Sequence, residues 1–114
     1  MLLKALLQDH CPEVQVLGDF PDLESGVQAI KRIQPELVFL DIELPESSGL
    51  QILNFFEENE LNFSIIFVTA YSEYAIQAFK LSAIDYVLKP ISIEKLKEAV
   101  AHYRNHQSKL MRQL

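Results

Sequence analysis

Three residues suited to phosphoryl transfer stand at the ends of short apolar runs in this sequence. Asp41 ends the run in "ELVFLDIELP", Thr69 ends "IIFVT", and Lys89 ends "AIDYVLK". An aspartate supplies a nucleophilic carboxylate, a threonine hydroxyl can bond a transferred oxyanion, and a fixed ammonium neutralises its charge. Taken singly, each residue has an ordinary structural role as a cap, a strand residue or a turn residue. Their joint occurrence at successive strand ends favours capture of a phosphoryl group on Asp41.

The runs that carry these residues alternate with stretches of helical spacing. Strands are predicted at Val14 to Leu17, Leu37 to Leu40, Phe63 to Val68 and Ile84 to Leu88. Continuous apolar strands indicate burial on both faces, and helical crossovers between strands require a parallel sheet. We therefore predict a doubly wound α/β domain whose working residues lie beyond the carboxyl ends of the strands.

Helical segments are predicted between and around these strands. Apolar spacing or a start signal marks Leu23 to Ile33, a segment opened by Ser48-Gly49, Tyr74 to Phe79, and Ile93 to Tyr103. The opening stretch from Met1 to Leu7 is interrupted by Lys4, so it predicts half of an amphipathic helix and not a signal peptide.

Composition limits the classes of function that fit the chain. A length of 114 residues favours one domain, and the formal net charge of -6 opposes direct binding to nucleic acid or to an anionic membrane. No run approaches the ~20 apolar residues of a membrane span. The single cysteine, Cys11, excludes an internal disulfide and fits a reducing, cytoplasmic setting.

The sequence resembles the receiver domains of two-component response regulators, in the CheY-like superfamily. The resemblance runs from about Leu2 to about His102 and rests on "LVFLDIELPESSGL", "IIFVTAY" and "AIDYVLKPIS", in that order and spacing. The wording of "TAYSEYAIQAFKLSAIDYVLKPIS" is most similar to receivers of LytTR-type regulators. The expected fold is thus the flavodoxin-like receiver fold, and the expected partner is a sensor histidine kinase.

The resemblance also implies roles for individual residues. Asp41 would accept the phosphoryl group, Thr69 would bond it, and Lys89 would pair with it across a cis bond to Pro90. Tyr86 matches the aromatic switch position, Ala70 matches the small residue beside the threonine, and the surface from about Tyr71 to Val100 would be the output surface. Asp41 and the backbone carbonyl of Glu43 match ligands of the Mg²⁺ ion that the family uses.

The chain departs from the family at its beginning. A receiver starts with a strand that ends in a pair of acids, and these acids hold the magnesium ion; no segment here matches that strand. We therefore expect weak or absent Mg²⁺ binding and impaired phosphorylation. The missing strand is central in the family's sheet, so we also expect a rearranged sheet, with Val14 to Leu17 shifted beside Leu37 to Leu40, or pairing supplied by another chain in a homo-oligomer.

Other interpretations stay open on the sequence alone. Met1 is either an internal methionine of a longer protein or the start of a degenerate receiver. The domain would then act as a phosphoacceptor or as an interaction module that works without phosphorylation, and a phosphatase with an aspartate nucleophile is the remaining enzyme alternative. The predicted boundaries are a receiver at 1–104 and a helix extension or linker at 105–114. His102 and His106 are four residues apart, and we interpret them as a solvated helix face rather than a metal site.

Overall fold

The chain forms a parallel sheet with helices on both faces. The computed structural model describes residues 2–112. Strand β1 (Leu37–Leu40) is followed by the short strands β2 (Glu43–Leu44) and β3 (Ser47–Ser48), which pair with each other in an antiparallel ladder. Strands β4 (Ser64–Thr69) and β5 (Asp85–Leu88) complete a three-stranded parallel sheet in the order β1-β4-β5.

Four α-helices and two 3-10 helices connect and flank the strands. The α-helices are α1 (Leu2–His10), α2 (Leu23–Ile33), α3 (Ala75–Lys80) and α4 (Ile93–Arg112), and the 3-10 helices are Gly49–Phe55 and Glu58–Glu60. None of the helices within residues 2–112 has the length and apolar character needed to cross a membrane.

Helix α2 begins and ends at residues with identifiable chemistry. The carboxylate of Asp22 accepts a hydrogen bond of 2.7 Å from the backbone N–H of Ser25, which satisfies one of the free donors of the first turn. This hydrogen bond lowers the pKa of the Asp22 carboxyl. Gln34 ends the helix in the left-handed region with φ 55°, and Pro35 follows directly.

Strand β4 is the centre of the core because its side chains are buried on both sides of the sheet. Ile65 and Phe67 pack against α2 and the 3-10 helix Gly49–Phe55 on one face. Ile66 and Val68 pack on the other face, together with α4. This two-sided burial confirms the inference that was drawn from the continuous apolar run.

Helix α4 covers one face of the sheet and also holds α1. Leu96 and Val100 of α4 are fully buried against Leu7 and Cys11. Burial raises the pKa of the Cys11 thiol. The helix continues to Arg112, so residues 105–112 extend it without a break, whereas residues 113 and 114 lie outside the described part of the chain.

Two local predictions are wrong. The segment Val14 to Leu17 is extended but belongs to no strand, and it does not pair with β1, so the expected rearrangement of the sheet does not occur. An apolar, β-branched run indicates strand propensity, but a strand also needs a neighbour within hydrogen-bonding distance.

The segment opened by Ser48-Gly49 is a 3-10 helix and not an α-helix. The side chain of Ser48 caps it by accepting a hydrogen bond from the backbone N–H of Leu50.

Candidate functional site

The carboxylate of Asp41 lies directly beyond the end of β1 and makes two polar contacts. One oxygen, Oδ2, is 2.6 Å from Nζ of Lys89, and the other, Oδ1, accepts a hydrogen bond of 3.1 Å from the backbone N–H of Glu43. The side chains of Asp41 and Lys89 are 26% and 45% exposed, so a solvent-borne reactant can reach both. An accessible carboxylate beside an ammonium is an arrangement suited to attack on an anionic group.

Lys89 reaches Asp41 from the far edge of the sheet. It follows β5, and its backbone N–H donates a hydrogen bond of 2.8 Å to the carbonyl of Thr69 at the end of β4. The cis bond between Lys89 and Pro90 that the resemblance implies is present. The carboxyl ends of β1, β4 and β5 thus bring Asp41, Thr69 and Lys89 to the same end of the sheet, as the sequence predicted.

Thr69 is the only polar residue among the fully buried side chains in the described part of the chain. Its hydroxyl oxygen accepts a hydrogen bond of 3.3 Å from the backbone N–H of Tyr71. Within residues 2–112 the Thr69 hydroxyl makes no hydrogen bond to Asp41 or Lys89. The structure therefore joins Asp41 and Lys89 through their side chains, and joins Thr69 to Lys89 through the backbone.

The two predicted switch residues lie next to this site. The Tyr86 hydroxyl donates a hydrogen bond to the backbone carbonyl of Tyr71, and its ring packs at a tilt against Phe67 with centroids 6.5 Å apart. Burial, reinforced by the carboxylates of Glu73 and Asp41, raises the pKa of Tyr86. Ala70, the residue after Thr69, is exposed, and its side chain is only a methyl group.

The oxygen ligands available for a magnesium ion are few. The Glu43 side chain is exposed on β2, two residues beyond Asp41, and residues 2–112 contain no group of three or more His, Cys, Asp or Glu side chains able to hold a metal. Mg²⁺ prefers octahedral oxygen coordination and is usually bound by one or two carboxylates, retained waters and substrate phosphates. Without a further acid beside Asp41, the described residues by themselves do not form a fitted magnesium site.

Gly49 supports the site but was not singled out from the sequence. Its N–H donates a hydrogen bond of 2.8 Å to the carbonyl of Ile42, which folds the β2–β3 ladder back against Asp41. A Cβ atom at Gly49 would lie 2.2 Å from the backbone oxygen of Asp41, so only glycine fits. The glycine in "ESSGL", which follows Asp41 closely in the sequence, was the signal that could have identified this position.

His102 makes a side-chain contact with another element, whereas from the sequence we interpreted it only as part of a solvated helix face. Its Nδ1 lies 2.6 Å from Oδ2 of Asp85, and the other oxygen of Asp85 accepts a hydrogen bond from the backbone N–H of Tyr86. His106 is exposed on the same helix. The pair ties α4 to the start of β5 and gives no indication of a metal site.

The sheet order and the acid, hydroxyl and ammonium at its edge define an α/β domain of the receiver class. Comparison with known proteins agrees: residues 1–101 match the response regulator receiver domain family. The chain is 34% identical over 105 residues to the sensory transduction protein LytT of Bacillus cereus, covering 92% of this chain and 42% of LytT. It is 35% identical over 107 residues to the transcriptional regulatory protein BtsR of Escherichia coli, covering 94% of this chain and 44% of BtsR.

Solved structures give the same result. A DNA-binding response regulator of the LuxR family from Staphylococcus aureus is 31% identical with a TM-score of 0.74, covering 90% of this chain and 89% of that one. The response regulatory domain of protein mrkE from Klebsiella pneumoniae is 25% identical with a TM-score of 0.77, covering 95% and 88%. The chain belongs to the response regulator receiver domain family and is a CheY-like receiver of the LytTR type, although it spans less than half the length of LytT and BtsR.

Proposed function

We propose that Asp41 accepts a phosphoryl group from a sensor histidine kinase in the cytoplasm. The observation that carries this proposal is the contact of 2.6 Å between Asp41 Oδ2 and Lys89 Nζ at the exposed end of the sheet. A carboxylate oxygen of Asp41 would attack the phosphorus and form an acyl phosphate. The bond from phosphorus to the donor's nitrogen would break, with its electron pair leaving on the donor.

In this proposal the neighbouring residues stabilise the transferred group. Lys89 would neutralise its charge, and the buried Thr69 hydroxyl would turn from the backbone of Tyr71 to bond a phosphoryl oxygen. Tyr86, which shares the Tyr71 backbone as its partner, would then change position and alter the surface around α3. Ala70 would leave space for the phosphoryl group to enter.

We also propose that this transfer is slow. Receiver domains generally bind Mg²⁺, which supplies charge neutralisation at the phosphoryl group when it is bound. Here Asp41 and the Glu43 carbonyl would be its protein ligands, and no third acid stands beside them in residues 2–112. Lys89 would therefore carry most of the neutralisation in a chain of net charge -6.

The experiment is incubation with acetyl phosphate and Mg²⁺, followed by intact-mass measurement over time. We expect slow addition of the mass of one phosphoryl group to the chain and to the control Asp9→Asn, and no addition to Asp41→Asn. Asp9 is an exposed acid in α1, far along the chain from the site, so its substitution tests for non-specific loss of charge.

The second candidate function is an interaction module that works without phosphorylation. The observation in its favour is that residues 2–112 contain no group of three or more acidic, His or Cys side chains that could hold a metal ion beside Asp41. If no mass is added at saturating donor, while the fold is intact by circular dichroism, this candidate replaces the phosphoacceptor.

A further inference from the structure

The turn between β4 and α3 holds two hydroxyl groups of the site through the backbone of one residue. The N–H of Tyr71 donates a hydrogen bond of 3.3 Å to the Thr69 hydroxyl. The carbonyl of Tyr71 accepts a hydrogen bond from the Tyr86 hydroxyl. The position of the Tyr71 backbone therefore determines where the hydroxyl groups of Thr69 and Tyr86 point.

The side chain of Tyr71 lies largely at the surface, where it packs against the side chain of Tyr74. Tyr71 is 44% exposed. Its ring meets the ring of Tyr74 edge to face, with centroids 6.4 Å apart and an interplanar angle of 74°. Aromatic pairs in this geometry attract each other beyond the area that they bury, because the positive edge of one ring meets the negative face of the other. The pair therefore restrains an exposed residue.

Tyr74 itself is held by the core and by helix α3. Its half-buried side chain packs against the core cluster that contains Phe67 and Ala78. Its carbonyl accepts a hydrogen bond of 2.9 Å from the N–H of Ala78 in the first turn of α3. Through the ring contact, Tyr74 thus ties the exposed Tyr71 to the rigid part of the domain.

Tyr74 also lies beside the hydroxyl of Tyr86. Burial raises the pKa of Tyr86, and a hydrogen bond from the backbone of Tyr74 opposes that rise. The side chain of Tyr86 packs against the same core cluster as Tyr74. Tyr71 and Tyr74 therefore bracket one hydroxyl group, and a displacement of either residue changes its surroundings.

We propose that Tyr74 is a positioning residue for phosphoryl acceptance, because its ring holds the Tyr71 backbone in place. The inference rests on the function proposed for Asp41. While the two rings are packed, the Thr69 hydroxyl stays bonded to the Tyr71 N–H. The ring pair therefore opposes the turn of Thr69 toward a phosphoryl oxygen on Asp41.

Loss of the ring pair should make this turn easier. Without the Tyr74 ring, the Tyr71 backbone would leave its position more often, and the Thr69 hydroxyl would be available in a larger fraction of molecules. Phosphoryl uptake on Asp41 should then be about twofold to tenfold faster, as the loss of one aromatic pair implies. A residue that only supported the fold would slow uptake, or leave it unchanged, when it is substituted.

The test compares Tyr74→Leu, which keeps an apolar side chain against the core, with Tyr74→Phe, which keeps the ring. Amide hydrogen exchange is followed by NMR on the full chain without any phosphodonor. Exchange at Tyr71 should be about twofold to tenfold faster in Tyr74→Leu than in the chain, and unchanged in Tyr74→Phe. The change at Tyr71 is taken relative to Val68 in β4, whose exchange reports opening of the core.

A double-mutant cycle separates the ring pair from the other contacts of Tyr74. Phosphoryl uptake from acetyl phosphate and Mg²⁺ is measured by intact mass for Tyr71→Leu, for Tyr74→Leu and for the double variant. Each single variant should take up the phosphoryl group faster than the chain by a similar factor. The double variant should be no faster than either one, because the loss of one ring already breaks the pair.

Three results would overturn the proposal. The first is unchanged exchange at Tyr71 in Tyr74→Leu, and the second is faster exchange there without faster uptake. The third is an effect of Tyr74→Leu on uptake that is equally large in the Tyr71→Leu background. Failure of the chain and of every variant to take up a phosphoryl group instead contradicts the function proposed for Asp41. Exchange at Tyr71 then decides alone whether Tyr74 holds this backbone.

Discussion

Asp41 and Lys89 form a solvated ion pair at the carboxyl ends of β1 and β5. The two side chains are 26% and 45% exposed, and exposed ion pairs typically contribute about 0–1 kcal/mol to folding. The same ammonium, placed 2.6 Å from the carboxylate, stands where charge would develop during phosphoryl transfer. The pair should therefore be dispensable for the fold, whereas removal of the ammonium should slow acceptance of a phosphoryl group further.

Substitution of Lys89 tests this separation. Lys89→Met should change the free energy of unfolding in urea by less than about 1 kcal/mol, because the ion pair is solvated. It should slow phosphoryl uptake on Asp41 about a hundredfold, as the loss of one stabilising group typically does. A large loss of stability, or an unchanged rate of uptake by intact mass, would contradict the role given to Lys89.

The proximity of Asp41 and Lys89 could be predicted from the sequence, because the carboxyl ends of parallel strands meet at one end of a sheet. The hydrogen bond from the Tyr71 backbone to Thr69 was not predictable, since it depends on how the chain turns after β4. The contact of His102 with Asp85 was also missed. It depends on the rotation of α4 over β5, which helical spacing alone does not determine.

Among the elements, α2 and the 3-10 helix Gly49–Phe55 each contain a glycine, and the two glycines have opposite surroundings. A Cβ at Gly26 in α2 would meet nothing within 4 Å, whereas a Cβ at Gly49 would lie 2.2 Å from the Asp41 carbonyl oxygen. Glycine inside a helix costs about 0.5–1 kcal/mol relative to alanine. One position therefore tolerates a methyl group, and the other requires its absence.

We predict opposite effects of alanine at these two positions. Gly26→Ala should raise the free energy of unfolding by about 0.5–1 kcal/mol. Gly49→Ala should lower it by about 1–3 kcal/mol, because the backbone next to Asp41 must shift. Urea denaturation measures both. A destabilised Gly26→Ala, or an unaffected Gly49→Ala, would contradict the geometry.

The N-cap of α2 provides a pH-dependent prediction. The hydrogen bond from Ser25 lowers the pKa of Asp22 below its ordinary value of 3.8, so the carboxylate stabilises the fold above that pH. This stabilisation is lost as the pH falls through the lowered pKa. Asp22→Asn, which keeps an oxygen acceptor but cannot titrate, should have a lower Tm than the chain near neutral pH.

The same comparison at acidic pH completes the test. The difference in Tm between the chain and Asp22→Asn, followed by circular dichroism, should shrink below pH 3.8. A difference that stays constant from neutral to acidic pH would show that the charge of Asp22 does not stabilise α2.

The strands show when a local residue pattern is sufficient to predict a strand. Phe63 to Val68 was predicted as a strand buried on both faces, and β4 has that burial, because its own side chains carry the information. Val14 to Leu17 has similar residues but forms no strand. Pairing depends on a neighbour that a local pattern does not contain.

For the whole molecule, several large apolar side chains are exposed, and three of them lie on α3 and at the end of β5. Ile76 and Phe79 of α3 are 73% and 51% exposed, and Leu88 at the end of β5 is 45% exposed. Exposed apolar side chains that form a contiguous patch often mark sites of association. We propose that copies of the chain associate through these residues of α3 and β5, at the edge of the sheet opposite β1.

Light scattering after size-exclusion chromatography measures this association. The chain should have a mass above the 13.1 kDa of one copy, and Ile76→Lys should shift it toward 13.1 kDa. Gln77→Lys adds the same charge at an exposed polar neighbour and should have little effect. A mass of 13.1 kDa at all concentrations would contradict the predicted homo-oligomer.

Locating the added group within the chain shows whether Asp41 is the phosphoacceptor. After incubation with acetyl phosphate and Mg²⁺, the chain would be digested at acidic pH, which preserves an acyl phosphate, and the fragments sequenced by tandem mass spectrometry. We expect one phosphoryl group, on Asp41 within "ELVFLDIELP". A phosphoryl group on any other residue, or none at saturating donor, would contradict it.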